Sequence, residues 1–310
     1  MTTAFFTHAA CLDHDTGPGH PERAQRLEAI LLALDEPEFA MLDRREAPLA
    51  DIAQITRVHD KGYAQGLLSR VPQRGWVALE GDTLMSPGSG EAALRAAGAM
   101  IAAVDLVLKN GAANAFCAVR PPGHHAESDM AMGFCLFNNV AIGAAHACAV
   151  YGLKRVAIID FDVHHGNGTQ HIFEHDAQIF YASTHQMPLY PGTGARVERG
   201  VGNICNAPLP PFAGGDEFRD TYEEIVLPAI DRFGPELIMI SAGFDAHRAD
   251  PLASLELEAE DFGWVTERLV EMAAAHCGGR LVSTLEGGYD LEALAESSAA
   301  HVAALLAAKI

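Results

Sequence analysis

The chain has 310 residues, with 21 basic and 41 acidic side chains, so its formal net charge is −20 when histidine is counted as neutral. Such a surface repels phosphate backbones, which excludes nucleic acid as a partner and favours cationic substrates, although solubility alone would also explain it. Apolar residues make up 49% of the chain, as is ordinary for a soluble globular protein. Because no repeat or long linker is visible, we predict one domain over residues 1–310 rather than two smaller ones.

The cysteines and the apolar segments bear on location. The six cysteines are scattered without a Cys-x-x-Cys pair, which argues against disulfides and a thiolate zinc site and favours a reducing compartment. Segment 130–153 carries no Asp, Glu, Lys or Arg, but its glycines, asparagines and histidine fit a buried loop and core helix better than a membrane span. The N-terminus lacks the basic and apolar regions of a signal peptide. We predict a soluble, cytoplasmic protein that does not contact membranes.

Short, continuous apolar runs alternate with helical patterns, which predicts an open, mostly parallel α/β sheet flanked by helices. In chain order the main predicted elements are helix 91–109, strand 115–119, helix 139–151, strand 156–159, strand 179–181, helix 217–232, strand 237–240, helix 260–276, strand 281–283 and helix 291–309. Each strand runs into a polar cluster. Ligands of such sheets bind beyond the carboxyl ends of the strands, so we expect the active site at that edge.

The most informative cluster, Asp160–Gly168, follows the strand 156–159 and reads Asp-Phe-Asp-Val-His-His-Gly-Asn-Gly. Residues two apart in an extended chain point the same way, so Asp160, Asp162 and His164 could share one face. Burial of unpaired charge costs several kcal/mol, which makes three such residues a poor core. They suit a divalent metal ion.

A catalytic zinc site needs about three protein ligands and an open position. Asp162 and His164 supply two ligands. The third is expected from another strand end, and the segment after strand 237–240 offers Asp245, His247 and Asp250. The spacing does not choose among these three.

Two further clusters offer groups for proton transfer. Arg120-Pro-Pro-Gly-His124-His125 holds adjacent imidazoles on a constrained loop, where one could act as a general acid or base near neutral pH. Glu286-Gly-Gly-Tyr289 follows a strand, and its glycines allow a turn that presents a phenol to an oxyanion. Taken alone, the histidine pair also fits a structural role, and Gly-Gly-Tyr fits an ordinary turn.

Together these motifs resemble the histone deacetylase family of arginase-like fold, which includes acetylpolyamine amidohydrolases and acetoin-utilisation proteins of bacteria. The motifs that carry the resemblance, from about His8 to Leu291, are Gly19–Arg23, Arg120–His125, Gly133–Asn139, Asp160–Gly168, Tyr190–Gly194, Ser241–Asp245 with Asp250-Pro251, and Glu286–Tyr289. Asn167 and Glu286 are more similar to the class II branch than to class I. The resemblance implies the arginase/deacetylase fold.

The resemblance also implies roles for the clustered residues. The implied ligands of one zinc ion, with ferrous iron as the other option, are Asp162, His164 and Asp250, which leaves Asp245 and His247 without that role. The implied catalytic groups are His125 as general base and then acid, His124 as its electrostatic partner, and Tyr289 as oxyanion donor.

Residues around the metal are implied in the same way. Asp160 matches the carboxylate that orients His124, and Asn167 matches the group that orients His125. A structural potassium ion is expected at Asp160, Asp162, His164, Ser183 and Thr184. Walls of an acyl-lysine tunnel are expected at Gly133, Phe134, Tyr190 and Leu252, an acetate-channel residue at Arg23 and a substrate-backbone contact at Asp82.

The predicted function is removal of acetyl or longer acyl groups from N-acylated primary amines, first of all acetyl-lysine of peptides or proteins. Acetylpolyamine hydrolysis is the alternative, although Leu252 stands where some polyamine-selective relatives carry an acid. An arginase-like enzyme with two manganese ions would need aspartates where His164 and His165 stand. A silent acyl-lysine-binding protein would not need His124, His125 and Tyr289. The sequence leaves a homo-oligomer open.

Overall fold

In the computed structural model, residues 2–308 are described, and the elements alternate along the chain. The strands are β1 Thr3–Thr7, β2 Asp43–Glu46, β3 Val77–Glu80, β4 Thr83–Met85, β5 Asn114–Cys117, β6 Val156–Asp160, β7 Ile179–Gln186, β8 Ile204–Leu209, β9 Leu237–Ala242 and β10 Leu281–Leu285. The helices are α1 Ala24–Ala33, α2 Ile52–Ile55, α3 Lys61–Ser69, α4 Ser89–Leu108, α5 Asn139–Tyr151, α6 Asn167–Phe173, α7 Gly215–Thr221, α8 Leu227–Phe233, α9 Ala259–Cys277 and α10 Leu291–Leu306.

Eight of these strands form one parallel sheet in the order β2-β1-β5-β10-β9-β6-β7-β8, and β3 pairs with β4 in a separate antiparallel hairpin. Every residue of β5, β6, β9 and β10 is buried. Strands buried on both faces are the signature of a parallel sheet covered by helices on each side. Here α4 contacts α5, and α10 contacts both α1 and α9. The predicted α/β sheet flanked by helices is confirmed.

The predicted elements are present with shifted ends. The predicted helix 217–232 is interrupted by a π-helical turn at Tyr222–Val226 between α7 and α8. Pro228 lies just after this turn and has no N–H to donate to the carbonyl four residues earlier, which favours the wider turn. The predicted C-terminal end of the last helix, Lys309, lies outside the described residues.

Sequence patterns missed several outer elements. β2 is a charged edge strand, Asp-Arg-Arg-Glu, with three of its four residues exposed, so it lacks the apolar run that reveals a central strand. β1 and β8 were likewise not predicted. Within residues 2–308, no helix is long and apolar enough to span a membrane.

The strand order positions the site. β5, β10, β9 and β6 are consecutive neighbours in the middle of the sheet, and all four run in the same direction. The segments that follow them therefore meet at one edge. Three of the register pairs near that edge are Thr284 with Cys117, Leu285 with Ala242, and Asp160 with Ser241.

Candidate active site

Three side chains with metal-binding atoms converge beyond β6 and β9. One atom each of Asp162, His164 and Asp245 lies within 4.8 Å of the others. His164 Nδ1 is 3.1 Å from both Asp162 Oδ1 and Asp245 Oδ2. Asp162 and Asp245 are 0% and 1% exposed, and His164 is 9% exposed. Two carboxylates and one imidazole form a donor set that fits zinc or ferrous iron.

The charge state of this cluster also fits a cation. Burial would raise the pKa of Asp162, but His124 and His164 beside it hold that pKa far below its usual range. Burial, and then the charge of Asp162, raise the pKa of Asp245. Burial would lower the pKa of His164, but hydrogen bonds to Asp162 and Asp245 raise it to about 10. The two carboxylates therefore stabilise positive charge between them.

Backbone N–H groups from two loops, after β10 and after β6, hold these carboxylates. Gly287 N donates to Asp162 Oδ2 at 2.8 Å, and Val163 N donates to Asp245 Oδ1 at 2.9 Å. A Cβ on Gly287 would lie 2.0 Å from Asp245 Oδ2, and a Cβ on Gly243 would lie 2.0 Å from Asp162 Oδ2. Glycine is required at both positions because any side chain would displace a carboxylate.

The structure places Asp250, the predicted third ligand, outside the cluster of Asp162, His164 and Asp245. After β9, Phe244 N donates to Gly287 O at 2.9 Å, which turns Asp245 toward Asp162. Two further turns carry the chain past the cluster before Asp250. The Asp250 carboxylate instead accepts from Tyr289 N at 2.7 Å and from Leu252 N at 2.9 Å. The structure thus departs from the prediction: Asp245, which the prediction left out, joins the cluster with Asp162 and His164, whereas Asp250 accepts from two backbone N–H groups.

The two adjacent histidines have different partners. His124 Nδ1 is 3.0 Å from Asp160 Oδ2, and His125 Nδ1 is 2.8 Å from Asn167 Oδ1. Their ring centroids are 4.0 Å apart. Burial would lower the pKa of His124, but Asp162 and Asp160 raise it well above its usual value. Burial, and then the charge of His124, lower the pKa of His125. The pair therefore consists of one strong and one weak proton acceptor.

Glu286 anchors the loop that carries these histidines. Its Oε2 accepts from Gly123 N at 2.6 Å and from His124 N at 3.1 Å, and its Oε1 accepts from Ser241 Oγ at 3.0 Å. Burial raises the pKa of Glu286 to about 7. From the sequence, Glu286 was predicted only as a residue typical of the class II branch. A glutamate directly after a predicted buried strand is the signal that could have revealed its anchoring role.

Tyr289 lies between an aromatic ring and a buried arginine. Its ring is 5.8 Å from that of Phe134, edge to face, and 4.7 Å from the guanidinium carbon of Arg26. Arg26 donates to the carbonyls of Gly288 and Glu286, and its charge is paired with Glu22 at 3.1 Å. These contacts fix the Gly-Gly-Tyr turn.

Two arginines near the start of α1 lie in different surroundings, and the predicted acetate-channel role of Arg23 stays a prediction. Arg23 precedes α1 and is exposed, whereas Arg26, three residues later, is fully buried against the Tyr289 turn. The helical spacing of Arg26 with the buried Leu27 and Ile30 could have identified it.

A cavity of about 200 Å³ opens onto the cluster. The four predicted tunnel residues, Gly133, Phe134, Tyr190 and Leu252, all line this cavity. It is also lined by Asp82, by the predicted catalytic residues His125 and Tyr289, and by His164 of the metal-binding cluster. Gly133 has a φ of +55°, and a Cβ there would lie 2.4 Å from His125 Cδ2. Only glycine lets the tunnel wall approach the histidine this closely.

The residues of the predicted potassium site lie at the end of β6, in the segment that follows it, and within the neighbouring strand β7. Asp160 at the end of β6 pairs with Ser183 of β7, and Thr184 follows. Ser183 Oγ is 2.9 Å from His185 Nδ1. Burial raises the pKa of Asp160. Potassium binding itself stays a prediction.

Comparisons with known proteins agree with this architecture. The histone deacetylase domain matches residues 20–305. Histone deacetylase 14, chloroplastic, of Arabidopsis thaliana is 41% identical, with 97% of this chain and 76% of the relative covered. The histone deacetylase-like amidohydrolase of Pseudomonas aeruginosa is 40% identical, with coverage of 93% and 81%. A probable deacetylase of Archaeoglobus fulgidus is also 40% identical, with coverage of 94% and 82%.

The fold comparison is equally close. A crystal structure of the HDA15 HD domain superposes with a TM-score of 0.91 at 32% sequence identity, covering 99% of this chain and 90% of that one. The predicted arginase/deacetylase fold is thus confirmed. The domain match covers most of the chain, and these relatives are 40–41% identical to it over most of their length. The chain therefore belongs to the histone deacetylase family, a family of deacetylases and amidohydrolases.

Proposed function

We propose that this protein is a zinc-dependent deacylase that hydrolyses N-acylated primary amines, with acetyl-lysine side chains as its principal substrate. One observation carries the proposal. The Asp162, His164 and Asp245 cluster opens, through His164, onto the same cavity that His125 and Tyr289 line. Metal-binding, proton-accepting and hydroxyl groups thus face one space where an amide could sit.

The residues present fit a single divalent ion, either zinc or ferrous iron. Asp162, His164 and Asp245 would hold it, because their donor atoms already lie within 4.8 Å of one another. When bound, such an ion supplies Lewis acidity toward an amide carbonyl and toward water. A two-manganese site would need further carboxylates, whereas His165 is turned away, with its nitrogens on Thr193 and Gln170.

His125 is the proposed general base. Its Nδ1 donates to Asn167 Oδ1, so the lone pair of its neutral ring lies on Nε2. Burial and the neighbouring positive charge of His124 lower its pKa, which keeps the ring neutral before reaction. Nε2 takes a proton from the attacking water and then returns it to the leaving amine. The products are a carboxylic acid and a primary amine.

His124 and Tyr289 are proposed to stabilise charge. The Nδ1 of His124 donates to Asp160, and the raised pKa keeps this ring cationic next to His125. The Tyr289 hydroxyl donates to the oxyanion that develops on the amide, and burial raises the pKa of the phenol so that it keeps its proton. The anchored Gly287 and Gly288 place the phenol beside the cavity.

The tunnel suits a linear acyl-lysine. Phe134 and Leu252 offer apolar walls to the methylene chain, and Tyr190 adds a half-exposed ring 5.2 Å from that of His125. Acetylpolyamines are the second candidate, because the Asp82 side chain at the cavity and the net charge of −20 would attract a distal ammonium. The proposal also includes a cytoplasmic location and a potassium ion at Asp160, Asp162, His164, Ser183 and Thr184.

The test is turnover of three substrates by enzyme loaded with a defined metal. An acetyl-lysine peptide, an acetylpolyamine and a longer acyl-lysine peptide are compared, with Tyr289→Phe as the active-site control. We expect the acetyl-lysine peptide to have the highest kcat/KM and the control to lose most of it. A higher kcat/KM for the acetylpolyamine would overturn the substrate class. Loss-free turnover by the control would overturn the mechanism.

A further inference from the structure

We propose that Glu127 is a positioning residue that holds the Asn167 amide in one orientation, and through it the ring of His125. Glu127 is also the reason that residue 167 carries an amide rather than a carboxylate. This inference rests on the proposed role of His125 as general base. It is carried by a chain of contacts that runs from the catalytic ring to the surface.

The Asn167 side chain has two different neighbours. Its Oδ1 accepts from His125 Nδ1 at 2.8 Å, and its Nδ2 donates to Glu127 Oε1, also at 2.8 Å. The other Nδ2 contacts are longer: 3.4 Å to His125 O and 3.3 Å to Met132 Sδ. A primary amide accepts on one side and donates on the other, so a rotation by 180° would lose both short bonds.

The orientation matters for the tautomer of His125. With Oδ1 toward the ring, Nδ1 must carry the proton, and the lone pair stays on Nε2 facing the cavity. With the amide turned around, Nδ2 would face Nδ1 and favour the opposite tautomer, whose Nε2 carries a proton and cannot act as a base. Glu127 selects the productive orientation because a carboxylate only accepts hydrogen bonds.

Glu127 is itself held in place. Its N–H donates to Met130 O at 2.9 Å, and its carbonyl accepts from His59 Nδ1 at 2.9 Å. The second carboxylate oxygen, Oε2, lies 3.5 Å from Nδ1 of His171. The Glu127 side chain is 21% exposed, whereas Asn167 is 6% exposed. The carboxylate thus stays in contact with solvent while it orients a buried amide.

The same contact explains the residue type at position 167. An aspartate there would place a second carboxylate about 2.8 Å from Glu127, the distance now spanned by the hydrogen bond. Two carboxylates this close share one proton or move apart. Either response changes the bond to His125. An asparagine accepts from His125 and donates to Glu127 without conflict.

The experiment uses four variants of the metal-loaded enzyme: Glu127→Gln, Glu127→Ala, Asn167→Asp and the double variant Glu127→Gln/Asn167→Asp. Glutamine can still accept from Asn167, so we expect Glu127→Gln to keep more activity than Glu127→Ala, whose kcat should fall about 10–100-fold with little change in KM. Asn167→Asp should lose a similar amount. The double variant should regain at least about tenfold over Asn167→Asp, because the glutamine amide can donate to the carboxylate introduced at position 167.

A second measurement does not depend on activity. In the metal-free protein, Asn167→Asp should lower Tm by a few degrees, and the double variant should restore it. Wild-type kcat in Glu127→Ala, or a double variant no better than Asn167→Asp in both kcat and Tm, would overturn the inference. If the metal-loaded wild type turned over none of the three acylated substrates, the proposed function would fail instead, and the order of the Tm values would still decide whether Glu127 holds Asn167.

Discussion

The two sides of the cavity differ in how many acidic partners surround each imidazole. On the metal side, consisting of Asp162, His164 and Asp245, two carboxylates surround a single imidazole. On the histidine side, consisting of His124 and His125, each ring has one partner of its own. The metal side has excess negative charge, whereas the histidine side is balanced by its own hydrogen bonds.

This difference separates two kinds of effect. A cation completes the metal side, so a substitution there should change metal content and activity together. The histidine side is complete within the chain, so a substitution there should change proton transfer and leave the metal in place.

The largest effect is expected on the metal side. Asp162→Ala should lose stoichiometric metal and reduce kcat at least about 10³-fold, since the Lewis acid contributes several kcal/mol to the transition state. Elemental analysis and turnover measure the two losses. Asp231→Ala, at a carboxylate that is 71% exposed, is the matched control and should change neither. A stoichiometric metal content in Asp162→Ala would show that Asp162 does not hold the metal.

Tyr289→Phe tests whether activity can be lost while the metal stays bound. Tyr289 lines the cavity, and among the described residues its hydroxyl forms no hydrogen bond with Asp162, His164 or Asp245. Its kcat should fall about 10²–10³-fold because one oxyanion donor is lost, and its metal content should stay that of the wild type. Tyr151→Phe, far from the cavity, serves as control. Coupled loss of metal and activity would mean that the two sides are not separable.

A smaller effect is expected from the anchor of the histidine loop. Glu286→Ala leaves the N–H groups of Gly123 and His124 without their acceptor, which should lower the free energy of unfolding by about 2–4 kcal/mol. Glu286→Gln keeps an acceptor in place and should lose less. Denaturant unfolding gives both values. Equal stability of the two variants would show that the anchor is dispensable.

The smallest predicted effect is a pH dependence from the same residue. Burial raises the pKa of Glu286 to about 7, so the folded protein keeps a proton that the unfolded chain releases near its ordinary value of 4.5. The contribution of Glu286 to the free energy of unfolding is therefore greatest below pH 4.5. It decreases by about 1–3 kcal/mol as the pH rises toward 7. Glu286→Gln should remove that fall, as measured by Tm against pH. An unchanged slope in the variant would contradict the assignment.

What the sequence could predict depends on how local the determinants are. Asp160, Asp162 and His164 follow directly from strand β6, and the structure places all three at the expected edge. The choice between Asp245 and Asp250 depends on turns after β9 and on a contact with Gly287, which lies on another strand's loop. Spacing carries no information about such a contact.

The same reasoning applies to the residues that were missed. The resemblance selected Arg23, but α1 begins at Ala24 and its buried face includes Arg26. The partners of Glu286, Gly123 and His124, are more than 160 residues away in the chain. The charged edge strand β2 gave no apolar pattern. Nonlocal packing thus decided the anchoring role of Glu286, whereas Arg26 and β2 were missed for local reasons.

The central claim is that Asp162, His164 and Asp245 form the metal site and that Asp250 does not belong to it. Metal content of purified Asp245→Ala and Asp250→Ala, measured side by side by elemental analysis, tests it most directly. The structure predicts that Asp245→Ala loses the metal and that Asp250→Ala, which removes only an acceptor of two backbone N–H groups, retains it. Full metal in Asp245→Ala together with loss in Asp250→Ala would contradict the account.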